Sequence, residues 1–120
     1  MKRPNGAPAS WSLVQTARWI QFLVQQGDVE FDEAGHAQQR GEERGVSNEE
    51  MLAAILGGRA ELKETQFVRG RDGGFDEERV RFRNEPRSRP DVAIVVIAGI
   101  SDRNPNCVIV SCWTQRKRSP

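Results

Sequence analysis

Residues Arg79–Gly99 read R-V-R-F-R-N-E-P-R-S-R-P-D-V-A-I-V-V-I-A-G. From Arg79 to Arg83 the alternation is strict. Val80 and Phe82 point to one face of a strand, and Arg79, Arg81 and Arg83 to the other. Asn84 to Pro90 carries two prolines and reads as a loop. Asp91 to Gly99 is apolar at successive positions, so both faces of that strand are covered and it belongs at the centre of a sheet. Working outward, Ser101 to Asn106 is a turn and Cys107 to Thr114 a last strand, with Val108, Val110, Cys112 and Thr114 expected on one face. The odd spacing of Cys107 and Cys112 then puts them on opposite faces, which excludes a bridge between them. Upstream, Glu61 to Arg69 alternates loosely, and R-G-R-D-G-G over Arg69–Gly74 marks a turn.

The first half has a different period. Ser10 or Ser12 caps a helix that runs to about Gln26 and stops at Gly27. Leu13, Ala17, Ile20 and Val24 form its apolar stripe, broadened by Trp19, Phe22 and Leu23. Val29 to Phe31 reads as a short extended piece. Asp32 is expected to cap a central helix ending at Gly45. Ser47-Asn48-Glu49-Glu50 is a capping box opening a third helix through Met51, Leu52, Ile55 and Leu56, which Gly57-Gly58 ends. The fold class predicted is α+β: N-terminal helices followed by a three- to four-stranded antiparallel sheet with the helices on one side. Residues 1–9, with Pro4 and Pro8, have the composition of a disordered N-terminus. Residues 10–115 make a single domain, and residues 116–120 a basic tail.

The chain of 120 residues has a net charge of +1, unevenly spread. From Asp28 to Glu50 there are eight acidic residues and two arginines, and from Arg79 to Arg89 five arginines and one acid, Glu85. A basic zone of this kind suits a polyanion. One histidine and two separated cysteines argue against a zinc site, and no metal or other cofactor is expected. No apolar run reaches membrane-spanning length, and the N-terminus has no signal-peptide core. These features fit a cytoplasmic site of action. A toxin delivered within a larger secreted polypeptide would have the same features.

The chemistry is concentrated in Phe31–Ser47, F-D-E-A-G-H-A-Q-Q-R-G-E-E-R-G-V-S. It holds the single histidine, His36, with Arg40 and Arg44 at i+4 and i+8. At 100° per residue His36, Arg40, Glu43 and Arg44 share one side of a helix, opposite Ala34, Gln38 and Gly41. Charged groups on that side are either solvated, with Arg40 and Glu43 as an i,i+3 pair, or part of a site.

The pattern from Gly35 to Gly58, G-H-A-Q-Q-R-G-E-E-R-G-V-S followed by M-L-A-A-I-L-G-G, resembles a small family of bacterial domains sharing H-A-x-x-R-x-x-x-R-G-I/V-S. That family is similar to RelE-like and BrnT-like toxins and to the C-terminal toxin domains of polymorphic toxins, within the barnase–EndoU–colicin–RelE ribonuclease fold. The resemblance covers roughly Phe31 to Arg116. In the last strand Ser111-Cys112-Trp113-Thr114 departs from the family's apolar–Thr–aromatic order.

The resemblance implies a metal-independent endoribonuclease toxin acting on RNA, tRNA among the candidates, with a cognate antitoxin or immunity protein as partner. Such cleavage needs a base, an acid and positive charge on the phosphorane. A histidine of ordinary pKa serves as acid or base, and arginine forks bind the phosphate oxygens. The candidate catalytic set is His36, Arg40, Arg44, Glu43 and Thr114, with Glu43 as base and His36 as acid. Arg79, Arg81, Arg83, Arg116 and Lys117 are candidate RNA contacts. Trp113 is expected in the core. The alternative, favoured by the acids around His36, is a non-catalytic protein-binding module on the same fold: an antitoxin, an immunity protein or a phage inhibitor.

Overall fold

The computed structural model describes residues 1–34 and 36–117. A short 3-10 turn at Pro8–Ser10 leads into α1 (Leu13–Gln26), β1 (Val29–Phe31), α2 (Ala37–Arg44) and α3 (Asn48–Gly57). Four longer strands follow: β2 (Arg59–Gly70), β3 (Gly73–Asn84), β4 (Val92–Ile100) and β5 (Cys107–Arg116). The sheet order is β1-β5-β4-β3-β2, with β1 parallel to β5 and the other neighbours antiparallel.

The class is α+β, as the change of period after Gly58 requires. The sheet departs from the expected three or four antiparallel strands in having five, one of them parallel. The extra strand is Val29–Phe31, paired with Cys107–Ile109. Three residues give little period to read, and parallel pairing with a strand some eighty residues away leaves no local signal.

Ser12 caps α1 through a capping box with Gln15, and Gly27 closes it at φ 78°. Ser47 and Glu50 make the expected capping box on α3. Each such cap is worth about 1 kcal/mol. Asp32 does not cap α2. Its Oδ1 accepts from the Ala34 amide in a local turn, and the helix starts later, at Ala37, behind His36. Asx residues compete for nearby amides in this way.

All three helices lie on one face of the sheet. Ile20, Leu23 and Val24 of α1 and Met51, Ala54 and Ile55 of α3 share a core with Val80, Phe82, Ile94, Val96 and Ile109. Fully burying each large member of this set contributes about 1.5–3 kcal/mol. β4 is the central strand, and Ala93 to Val96 are inaccessible on both faces. Val95 lies on the face away from the helices, between Arg83 and Trp113 in register. The stems of long side chains are suited to covering it.

In β5 the strand parity changes. Ile97 pairs with Ser111 but Ala98 with Ile109, so Val110 is an extra residue in a β-bulge. Cys107 and Ile109 face the helices before it, and Cys112 and Thr114 after it. The expected face of Val108, Val110, Cys112 and Thr114 is therefore broken. Cys107 and Cys112 lie on the same buried face, both as free thiols.

Most of residues 1–9 are exposed, and a few of them contact the domain. Pro8 is buried. Arg3 pairs with Asp102 at 2.8 Å and lies over the Trp11 ring at 4.9 Å. Lys63 Nζ donates to the carbonyls of Pro8 and Trp11. Of the expected basic tail, Arg116 ends β5 and Lys117 donates its amide to Asp91. Residues 118–120 lie outside the described residues.

Candidate functional site

Helix α2 rests on β5 through its smallest side chains. Ala37 and Gly41 are buried. Cys112 Sγ lies 3.7 Å from the Ala37 carbonyl. A Cβ on Gly41 would stand 2.6 Å from the Val46 carbonyl and 3.8 Å from Cys112 Sγ. Small residues on the inner face let the helix approach closely and turn its charged side outward. His36, Arg40, Glu43 and Arg44 are all exposed. Arg40, Glu43 and Arg44 keep the 100° spacing, whereas His36 precedes the helix in the left-handed region, so that spacing does not carry to its side chain.

His36 occupies the N-cap of α2 with φ 57° and ψ 33°, and its side chain makes no capping bond. Among the described residues it is the only non-glycine held at positive φ. For a residue with a Cβ that region costs about 1–2 kcal/mol. The His36 carbonyl accepts from the Arg40 amide at 2.8 Å, so the strained residue is built into the first helical turn.

Burial pushes the Cys112 thiol above its ordinary range, and Arg44 and Arg40 oppose that rise. Thr114 lies on the same face of β5, opposite Ile94 in register, and is half-buried. The structure thus brings His36, Arg40, Arg44 and Thr114 to the helix side of the sheet.

Glu43 fits less well. It is seven residues, about 10 Å along the axis, from His36. Its carboxylate accepts from Gln39 Nε2 at 3.3 Å. Among the described residues no ion pair joins it to Arg40.

The strand arginines lie elsewhere. Arg79, Arg81 and Arg83 project from the opposite face of the sheet, as their alternation requires, so the sheet separates them from His36. Each has a carboxylate neighbour: Arg79 with Glu77 at 2.8 Å, Arg81 with Glu61 at 3.9 Å, Arg83 with Glu85 at 2.9 Å. Glu77 is itself buried, its side chain laid over Gly99. Arg81 Nε is buried without a hydrogen-bond partner. Two adjoining clefts cross this open face. One, of about 230 Å³, is lined by Leu62, Arg79, Ile97, Val110 and Trp113 among others. The second, of about 440 Å³, includes Arg81, Arg83, Gln115 and Arg116.

Trp113 therefore lines an open groove and is not a core residue, although its face, opposite Thr114, is the one expected. Two contributors escaped the sequence reading. Cys112 lies beneath the helix because the bulge reverses strand parity. Arg89 reaches from the 85–91 loop to the Gly45 carbonyl at 2.9 Å and Glu50 at 3.4 Å, fixing the C-terminal end of α2. A basic residue in a proline-flanked loop carries no local sign of that role.

Among the described residues no helix is long and apolar enough to cross a membrane. Nor do three His, Cys, Asp or Glu side chains converge so as to hold a metal ion. No family model, curated protein or solved structure matches the chain.

Proposed function

We propose that the chain is a metal-independent endoribonuclease of the RelE/barnase-like kind, a toxin domain whose reaction is centred on His36. The observation that carries this reading is the state of His36: exposed, alone among the described non-glycine residues at positive φ, and one turn from Arg40. Backbone strain of this size persists where surrounding structure enforces it, and such positions cluster at functional sites.

In this reading His36 takes the proton of an RNA 2′-hydroxyl. The 2′-oxygen bonds to the adjacent phosphorus, the bond from phosphorus to the 5′-oxygen breaks, and the leaving oxygen takes a proton from water. The products are a 2′,3′-cyclic phosphate and a 5′-hydroxyl. Arg40 and Arg44 hold the non-bridging oxygens as charge develops, and Thr114 offers a hydroxyl donor from β5. Glu43, about 10 Å from His36 along the helix and bonded to Gln39, is left out of the reaction. Contacts from Arg79, Arg81 and Arg83 are not required, since they lie across the sheet.

The test is incubation with total bacterial RNA and tRNA in EDTA, comparing wild type, His36→Gly and Arg40→Ala. Wild type is expected to leave 2′,3′-cyclic phosphate ends, and both variants to lose at least about a hundredfold in rate, the usual scale of a proton-transfer or oxyanion contribution. Glycine suits the His36 backbone, so that variant removes the imidazole without unfolding the helix.

A second reading, a non-catalytic protein-binding module such as an antitoxin, immunity protein or phage inhibitor, is favoured by one observation. The open sheet face combines Trp113, Leu62, Ile97 and Val110 with ion-paired arginines, a mixture that suits a protein partner. Folded wild-type protein that leaves every RNA intact would decide for this module.

A further inference from the structure

β2 forms one edge of the sheet and is 12 residues long, four times the length of β1 at the other edge. Long edge strands invite pairing and are ordinarily blunted by proline, by exposed lysine or by bulges. β2 contains no proline. Its bulge is confined to the start, between Ala60 and Leu62. Its one lysine, Lys63, is turned inward: the side chain is 13% exposed, and the ammonium is spent on the carbonyls of Pro8 and Trp11 and on Glu78. Beside the charged Arg59, Glu61, Glu64 and Arg69, the strand exposes two large apolar side chains, Leu62 and Phe67, at 43% and 56%. Among the described residues no backbone group of Leu62–Gly70 bonds to anything beyond the β3 ladder.

We propose that this edge pairs antiparallel with β2 of a second copy of the chain, about a twofold axis at Thr65. The two five-stranded sheets then form one continuous sheet with all helices on the same side. The charge pattern selects that centre. A twofold perpendicular to the sheet puts residues of the same face opposite each other, so only whole-residue centres are allowed. Centring on Lys63 or Glu64 sets a like charge against itself, and centring on Gln66 sets Lys63 against the partner's Arg69. Centring on Phe67 pairs only residues 64–70 and leaves Leu62 uncovered.

Centring on Thr65 puts Leu62 against the partner's Val68, Lys63 against the partner's Phe67 and Glu64 against the partner's Gln66. Glu61 lies in the bulge, beside Arg81 on the face away from the helices, and takes no part in the pairing. Thr65 meets the partner's Thr65, a favourable cross-strand pair, and no like charges stand directly opposite, which would destabilise the sheet. Both exposed apolar side chains are covered. The association is independent of whether the chain cleaves RNA.

The test is sedimentation of the full chain over a range of concentrations, with Gln66→Glu and Gln66→Lys beside wild type. Wild type is expected to approach twice the mass of one chain as concentration rises. Gln66→Glu places like charges opposite the partner's Glu64 twice over and weakens association by about tenfold, and Gln66→Lys strengthens it by a similar factor. Gln66 also lies opposite Glu77 within the chain. Melting each variant at dilutions where it is monomeric therefore separates a loss of folding from a loss of pairing. A wild type that stays monomeric at its highest soluble concentration, or a dimer that both variants leave unchanged, would overturn the proposal.

Discussion

At the scale of single residues, His36 and Cys107 are set by opposite kinds of environment. His36 is exposed and strained. His36→Gly is expected to raise stability by about 1 kcal/mol, because glycine adopts positive φ without the Cβ clash. Chemical denaturation measures this, and an unchanged or lowered midpoint would show that the His36 side chain itself supports the helix start. Cys107 is buried, and its thiol is pushed from 9.0 to about 12, chiefly by burial and then by the nearby charges of Asp28 and Glu30, against a backbone hydrogen bond that lowers it. Its folded pKa lies above the unfolded value, so the folded state holds a proton that the unfolded state releases. The resulting stability is complete below pH 9 and is lost as pH rises toward 12. Melting temperature is expected to fall steeply across that window, and Cys107→Ala, less stable at neutral pH, to show a flatter alkaline limb.

At the scale of elements, the seat of α2 on β5 depends on Gly41. Glycine inside a helix ordinarily costs up to about 1 kcal/mol relative to alanine. Here an added Cβ would meet the Val46 carbonyl at 2.6 Å and Met51 Cε at 3.0 Å. Gly41→Ala is therefore expected to destabilise the fold by about 1–3 kcal/mol, as overpacking does, instead of strengthening the helix. Urea unfolding reads the sign directly. The partner element, β5, owes its inner face to the bulge at Val110. Without it Cys112 and Thr114 would face away from α2, and the side of the sheet beneath His36 would carry Trp113.

At the scale of the whole molecule, the sheet is a partition. One side carries the helices with His36, Arg40 and Arg44. The other carries the arginine row of β3 and the groove beside Trp113. The N-terminal segment ties the helix side to the turns at one end of the sheet. Deleting residues 1–9 removes the Arg3 stack on Trp11, the carbonyls of Asn5 and Gly6 that accept from Trp11 Nε1, and the Pro8 carbonyl that accepts from Lys63. The expected loss is about 2 kcal/mol, or roughly 8 °C in Tm. A shortened chain with the melting temperature of the full one would mean that these contacts contribute nothing to stability.

The sequence by itself determined whatever depends on near neighbours along the chain. The capping boxes at Ser12 and Ser47, the stops at Gly27 and Gly45, the inward Val80 and Phe82 and the doubly covered Asp91–Gly99 strand all follow from periods and caps within a few residues. So does the common side of Arg40, Glu43 and Arg44, whereas the left-handed turn that sets His36 before the helix does not. What only the tertiary structure decided are relations across the chain. Val29–Phe31 becomes a strand because β5 offers it an edge. Val110 bulges because the pairing of β4 with β5 requires an extra residue there. The strand arginines fall on the far side of the sheet from His36 because all three helices pack on one face. Residue spacing encodes the direction of a side chain relative to its own element, but which element covers that face is fixed by packing between distant segments.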